Sequence, residues 1–279
     1  MKVFTVIPTH EITDKLFKIC SVVSNPIVVL DGFSDAKFNK FLNAVNENSI
    51  VIRTAIGGNA YIARNAGIDV ALAKGADYIL FTDSDCVPDK DWEANMIKGG
   101  GDILVGWTIE HTESKLLQVY RENPYGLGTN GIKFFCCGMI IFPTCNVGYS
   151  KLVFRALGRF PEVPGGDLLF SEKAYKNFSV ELKRNAEVNH YICSGIKELF
   201  LKRVRYGPFV VKNPLISIVA IFAIFVNSVS SFFVQLMYAS SKKDYYKLWC
   251  FLVGDMVVHY GFLIGRILHL LGFKNKKII

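Results

Sequence analysis

The sequence has no CxxC pair, and its cysteines are odd in number: seven, at Cys20, Cys86, Cys136, Cys137, Cys145, Cys193 and Cys250. Both facts argue against a disulfide framework and against a zinc site. Several of the seven lie in apolar surroundings, where a reduced, buried thiol is expected, and a reducing, cytosolic compartment follows. A secretory leader is not expected either. Met1–Ile7 goes straight into a short apolar run and meets Pro8, too short for a signal core and without a small-residue cleavage site. The absence of internal repeats and low-complexity tracts excludes solenoid and array architectures. Charge is absent from Leu215–Ala239, a run long enough to cross a bilayer, which needs about 20 apolar residues.

What is present is mostly apolar. The 279 residues are 51% hydrophobic with a mean hydropathy of +0.29, and the excess concentrates after Pro208. The net charge of +8 comes from 32 basic and 24 acidic residues. Such a balance fits nucleic acid, anionic lipid or phosphorylated substrates without choosing among them.

Along the first part of the chain, short apolar runs alternate with segments of helical spacing. Strands are expected at Lys2–Ile7 (stopped by Pro8), Ile27–Leu30, Ser49–Arg53 and Tyr78–Thr82, and helices at Thr13–Ser24, Asp35–Asn46 and Ala60–Lys74. Gly57-Gly58 marks a loop. This alternation implies an α/β fold with a mostly parallel sheet and helices on both faces. Beyond Asp91 the pattern loosens. Strands are read at Asp102–Trp107, Phe134–Pro143, Ser179–Leu182 and Glu187–Tyr191. Helices are read at Ser114–Arg121, Tyr149–Leu157 and Asp167–Phe178, and loops at Asn123–Gly131 and Gly158–Gly166.

The chemistry gathers at strand ends. Tyr78–Asp85 reads YILFTDSD: an apolar run and then two carboxylates, Asp83 and Asp85. Continued strand alternation would point both the same way, with Ser84 opposite. Like charges that close repel unless a cation or a donor cluster sits between them. Asp31 ends the second strand, and Arg64-Asn65 lies near the start of the helix before YILFTDSD. In a parallel sheet these ends share the rim where ligands bind. Three carboxylates and an arginine there suit a nucleoside diphosphate with a divalent metal, since hard cations prefer carboxylate oxygen.

Five ordered segments resemble the family 2 glycosyltransferases of the GT-A fold, over Val3 to about Gly207. They are FTVIPTH (Phe4–His10), LDGFSD (Leu30–Asp35), the long match Gly57–Trp92 that ends in a DxD motif, ALGRFPEVPGGDLLFSEKAYK (Ala156–Lys176), and His190 with KRVRYG (Lys202–Gly207). Two departures stand out: one acid of the family's pair is missing beside Asp31, and Gly166-Asp167 stands where the family usually has Glu-Asp. The resemblance implies transfer of a hexose from a nucleotide-diphosphate sugar, with Mg²⁺ or Mn²⁺. Pro8, Asp31, Arg64 and Asp83 would belong to the donor site. Asp83, Asp85 and His190 would hold the metal, and Asp167 would be the general base. One base and no nucleophile implies inversion at the anomeric carbon. A nucleic-acid partner is not implied. The domains expected are a catalytic domain, 1–207, and about two membrane-associated helices, 208–279.

The second apolar stretch, Leu248–Leu271, is interrupted by Asp255, His259, Arg266 and His269, so it spans, forms a hairpin or lies in the interface. Lys197, Lys202, Arg203, Arg205 and Lys212 precede the first stretch, and Lys274, Lys276 and Lys277 follow the second. The positive-inside bias puts both sets, and the catalytic domain, on the cytoplasmic side. Lys242, Lys243 and Lys247 in the intervening loop run against that topology. Arg203 and Arg205 are also placed to meet an acceptor phosphate, which makes a lipid-linked or membrane glycan acceptor the expectation: polyprenyl phosphate, glycolipid or polysaccharide. Two alternatives are a non-catalytic nucleotide-sugar-binding protein with a degraded site, and a phosphatase whose Asp-x-Asp follows its first strand. Three strand units precede the motif here, which argues against the phosphatase.

Overall fold

β1 (Val3–Thr9) is buried along its whole length. Val3 and Ile7 join one apolar layer, and Phe4 and Val6 join the other, as a central strand covered on both faces requires. The structure is a computed structural model that describes residues 1–55, 59–112, 114–121, 133–134, 140–163, 165–192, 195–206 and 245–270, with Val229, Phe233 and Met237. The expected loops at Gly57-Gly58 and Asn123–Gly131, half of the Phe134–Pro143 strand and the basic groups beyond Leu271 lie outside the described residues, as does Leu215–Ala239 apart from those three positions.

β2 (Pro26–Asp31), β3 (Ile50–Thr54) and β4 (Tyr78–Phe81) join β1 in the order β3-β2-β1-β4, all parallel. The connecting helices are α1 (Asp14–Val22), α2 (Asp35–Leu42) and α3 (Ala60–Ala73). Thr13 caps α1 by accepting from the Leu16 N–H, and Asn59 caps α3 by accepting from the N–H groups of Tyr61 and Ile62. Gly67 lets α3 press against the sheet, since a Cβ there would collide with Val6.

Pro8 does not stop β1, which continues to Thr9. The Val6 carbonyl accepts from Thr82 on the β4 side, so alternation aims the nitrogen of Pro8 the same way. Pairing with β4 has already ended at Val6–Phe81, while β2 pairs on to Thr9. The missing N–H therefore costs no ladder bond.

The rest of the sheet corrects the expectation of a mostly parallel one. Its order continues β9-β6-β10-β5. β9 (Val147–Ser150) is antiparallel to both β4 and β6 (Ile103–Thr112), and β5 (Cys86–Pro88) is antiparallel to β10 (Val180–Ile192). The chain leaves β4 through a turn too short for the crossover that parallel neighbours need, and β9 runs against β4 and β6, which share one direction. The sheet is therefore mixed. The expected helix Tyr149–Leu157 begins as strand, in its first two residues. Ser150 is extended at φ −66°, ψ 153°, and α6 (Lys151–Leu157) begins only after it. The two short strands read at Ser179–Leu182 and Glu187–Tyr191 are one strand, β10. Its polar middle is satisfied in part by Lys183, whose Nζ donates to the carbonyls of Lys98 and Gly100.

α4 (Trp92–Ile97) and α7 (Gly166–Asn177) complete the helices on the sheet. Phe81, Tyr149, Phe154, Phe160 and Phe170 form an aromatic cluster with ring centroids 4.6 to 6.1 Å apart. Such pairs contribute about 0.5–1.5 kcal/mol each beyond area burial. β7 (Lys133–Phe134) and β8 (Ile140–Ile141) form a separate two-stranded sheet.

Met1–Ile109 and Ile140–Tyr191 belong to one compact unit. A second unit contains α5 (Lys115–Arg121), α8 (Ile196–Tyr206) and α9 (Tyr245–Leu270). In it, Gly261 and Gly265 bring α9 close to α8, because a Cβ at either position would meet α8 backbone near Phe200 or Val204. The second apolar stretch lies on α9 as far as Leu270. Among the described residues no helix is long and apolar enough to cross a membrane.

Candidate functional site

Three of the expected acids sit where β2 and β4 end. Asp31 is the last residue of β2 and accepts from the Thr54 hydroxyl at 2.8 Å. Gly32 follows at φ 74°, a left-handed conformation that turns the chain away. Asp83 and Asp85 lie in a turn rather than on the strand: β4 ends at Phe81, the Cys86 N–H donates to the Asp83 carbonyl at 2.9 Å, and the Thr82 hydroxyl donates to the Cys86 carbonyl. The expected strand alternation therefore does not apply, and the turn itself gathers the carboxylates. Oxygens of Asp83 and Asp85 and the sulfur of Cys86 lie within 4.8 Å of one another.

Arg64 is 4% exposed and donates from Nη2 to Asp83 Oδ1. Burial opposes its charge, but Asp83, Tyr61 and Asp167 outweigh burial and hold the guanidinium above its ordinary range. Its Nε is buried without a hydrogen-bond partner among the described residues. One turn earlier on α3, the Tyr61 hydroxyl donates to Asp167 Oδ1 at 2.6 Å, and its ring lies 5.6 Å from the Arg64 guanidinium. Positions three apart share a helix face, so α3 joins the rim acid Asp83 to the expected base Asp167. Neither Tyr61 nor Thr54 stands out in the sequence, because both are ordinary residues of an amphipathic helix and a strand.

Asn65 fixes the segment before Asp167. Its side chain donates to the Phe160 carbonyl at 2.9 Å and to Glu162 at 3.1 Å, and accepts from the Phe160 N–H at 3.0 Å. Asp167 lies in the first turn of α7, where its carboxylate accepts from the Leu168 N–H at 2.9 Å. The residue before it explains a departure from the family pattern. A Cβ at Gly166 would collide with the Pro161 carbonyl, so the chain leaves no room for a second acid there.

His190 stands opposite Cys86 in the β5–β10 ladder. Its Nε2 is 3.5 Å from Asp85 Oδ2, and Cys86 Sγ donates to Asp85 Oδ1 at 3.3 Å. Burial raises the Asp85 pKa, but His190 and then Cys86 outweigh it and hold the carboxyl below its usual range. Pro8 is buried near the end of β1, paired with Val29. Arg203 and Arg205 lie on α8 in the second unit. Thus Asp31, Arg64, Asp83, Asp85, Asp167 and His190 all belong to the first unit, and contacts tie Arg64 to Asp83 and His190 to Asp85.

The donor set suits a divalent cation: two carboxylates supply hard oxygen ligands, and an imidazole adjoins them. The buried Nε of Arg64 is a further donor for which an anionic ligand would compensate.

No curated protein matches the chain. Among solved structures, the mannosyltransferase PcManGT from Pyrobaculum calidifontis, in complex with GDP-Man and Mn²⁺, is 12% identical with a TM-score of 0.54. The match covers 98% of this chain and 88% of that one, and at that identity it shows a shared fold. TarS from S. aureus is 17% identical with a TM-score of 0.46, covering 84% of this chain and 43% of that one, so this chain spans less than half of that TarS chain. Residues 21–158, which include Asp31, Arg64, Asp83 and Asp85, match glycosyl transferase family 2. The chain carries a glycosyl transferase family 2 domain over these residues.

Proposed function

We propose that the protein transfers a hexose from a nucleotide-diphosphate sugar, with inversion, to a lipid-linked or glycan acceptor at a membrane surface. The observation that carries the reading is the linked set Asp83–Arg64–Tyr61–Asp167, which joins a carboxylate pair at the sheet rim to a separate acid on α7. Asp31 would contact the nucleoside. Asp83 and Asp85, with His190 beside Asp85, would hold Mg²⁺ or Mn²⁺, which when bound neutralises charge on the departing diphosphate. Arg64 fixes Asp83 and keeps a positive charge at the rim. Asp167, oriented by the Tyr61 hydroxyl and the Leu168 N–H, would take the proton of an acceptor hydroxyl. With one base and no second nucleophile, the acceptor displaces the nucleotide directly. PcManGT, which was solved with GDP-Man and Mn²⁺, supports the donor class and the use of a divalent metal.

The domains proposed are catalytic residues 1–207 and membrane-associated residues 208–279, with the catalytic domain on the cytoplasmic side. Support comes from α9, where Trp249, Met256, Tyr260, Ile264 and Ile267 are exposed and recur at helical spacing, as on a helix that lies in an interface. Arg203 and Arg205 would then meet an acceptor phosphate. Full-length protein that stays soluble without detergent contradicts this part.

The test of the chemistry is Asp167→Asn. Donor binding by calorimetry should stay within twofold while transfer to a hydroxyl acceptor falls by about 10²–10⁴-fold, the usual contribution of a positioned base. Normal transfer would mean another base.

A further inference from the structure

We propose that Cys86, Cys145 and His190 form a second metal site, for a thiophilic divalent cation such as Zn²⁺, next to the carboxylate site and sharing His190 with it. Both sulfurs and one imidazole nitrogen lie within 4.8 Å of one another. Tetrahedral zinc, with bonds of about 2.3 Å to sulfur and 2.0 Å to nitrogen, sets its ligands about 3.5–3.8 Å apart, so closure needs a contraction of roughly 1 Å.

Three segments deliver the ligands, and each is fixed. Cys86 and His190 are direct partners in the β5–β10 ladder, so their side chains stand side by side on one face. Cys145 is held through its neighbour Asn146. That side chain donates to the carbonyls of Trp107 and Ala186 at 3.0 and 3.1 Å and accepts from Trp92 Nε1 at 2.8 Å. Cys86 is buried, whereas Cys145 and His190 are partly exposed and offer a way in. Asp85, 3.5 Å from His190 Nε2, is the kind of carboxylate that orients a metal-ligating imidazole. The hard and soft sites thus meet at Asp85 and Cys86. Thiolate and imidazole select zinc, while the paired carboxylates of Asp83 and Asp85 suit Mg²⁺ or Mn²⁺. On binding, each coordinating thiol gives its proton to solvent, and no redox change is involved.

This inference stands apart from the sugar-transfer reading, because it rests on ligand geometry alone. The test is a titration of the reduced full-length protein with Co²⁺, followed by absorbance. One equivalent should produce a thiolate-to-cobalt charge-transfer band that Zn²⁺ abolishes and excess Mg²⁺ leaves in place. Cys145→Ser should lose the band, and Asp83→Asn should keep it. A measurement on the unmutated protein covers the case in which Cys145→Ser fails to fold: Zn²⁺ should block alkylation of Cys145, and Mg²⁺ should not. The proposal is overturned by the absence of a band, by a band that survives in folded Cys145→Ser, or by alkylation of Cys145 that Zn²⁺ leaves unchanged.

Discussion

Arg64 reaches Asp83 across 19 residues of chain, and Asp31 meets Thr54 across 23; Cys86, Cys145 and His190 come from three distant segments. The first two contacts belong to the parallel half of the sheet, β3-β2-β1-β4, and the third to the half β9-β6-β10-β5, which contains the antiparallel β5–β10 ladder. In the parallel half each strand returns through its own helix, so functional residues recur at strand ends and helix starts. In the other half the antiparallel β5–β10 ladder brings together residues whose separation in sequence says nothing of their neighbours. One half therefore builds a site from local units, and the other builds a site from register.

The sharpest way to break this comparison is to remove a charge from the parallel half. Asp83→Ala leaves the buried Arg64 guanidinium uncompensated and should cost about 3–5 kcal/mol, measured as the shift of a urea unfolding curve. A loss under about 1 kcal/mol would mean that the ion pair does not organise this half. In the β9-β6-β10-β5 half the corresponding probe is Asn146→Ala. It strands the buried indole N–H of Trp92, the buried carbonyl of Ala186 and the part-buried one of Trp107, and an unsatisfied buried group costs about 1–3 kcal/mol. A loss of about 2–3 kcal/mol is expected in the same assay, with nucleotide-sugar binding to the folded variant unchanged. A loss of binding as large as that of a rim variant would erase the distinction between the halves.

Legibility in the sequence follows the same division. The four parallel strands and α1–α3 could be read because each strand is a short apolar run and each helix shows its own 3.6-residue spacing. Asp31, Arg64, Asp83 and Asp85 could be found because strand ends form a rim. β9 was hidden: Tyr149, Val153 and Phe154 have helical spacing, and all three are buried, but the first lies on a strand. β5 is three residues long and follows the carboxylate turn directly. β10 was split by charged residues that its neighbours satisfy, among them Lys183. The Tyr61–Asp167 bond spans 106 positions, and no local pattern announces it. The absence of CxxC argued against zinc because such motifs count ligands along the chain, whereas here the β5–β10 register and the Asn146 turn gather them.

The most direct measurement of the central proposal is Mn²⁺-dependent nucleotide-sugar binding and turnover in the wild-type protein and in Asp85→Asn. Asp85 touches His190 and Cys86 but not the Arg64 pair, so the substitution should leave the metal-free melting temperature within a few degrees. The expected result is Mn²⁺-dependent stabilisation and turnover in the wild type, both lost in Asp85→Asn. Equal binding and equal turnover in the two proteins would contradict the placement of the metal and donor at this rim.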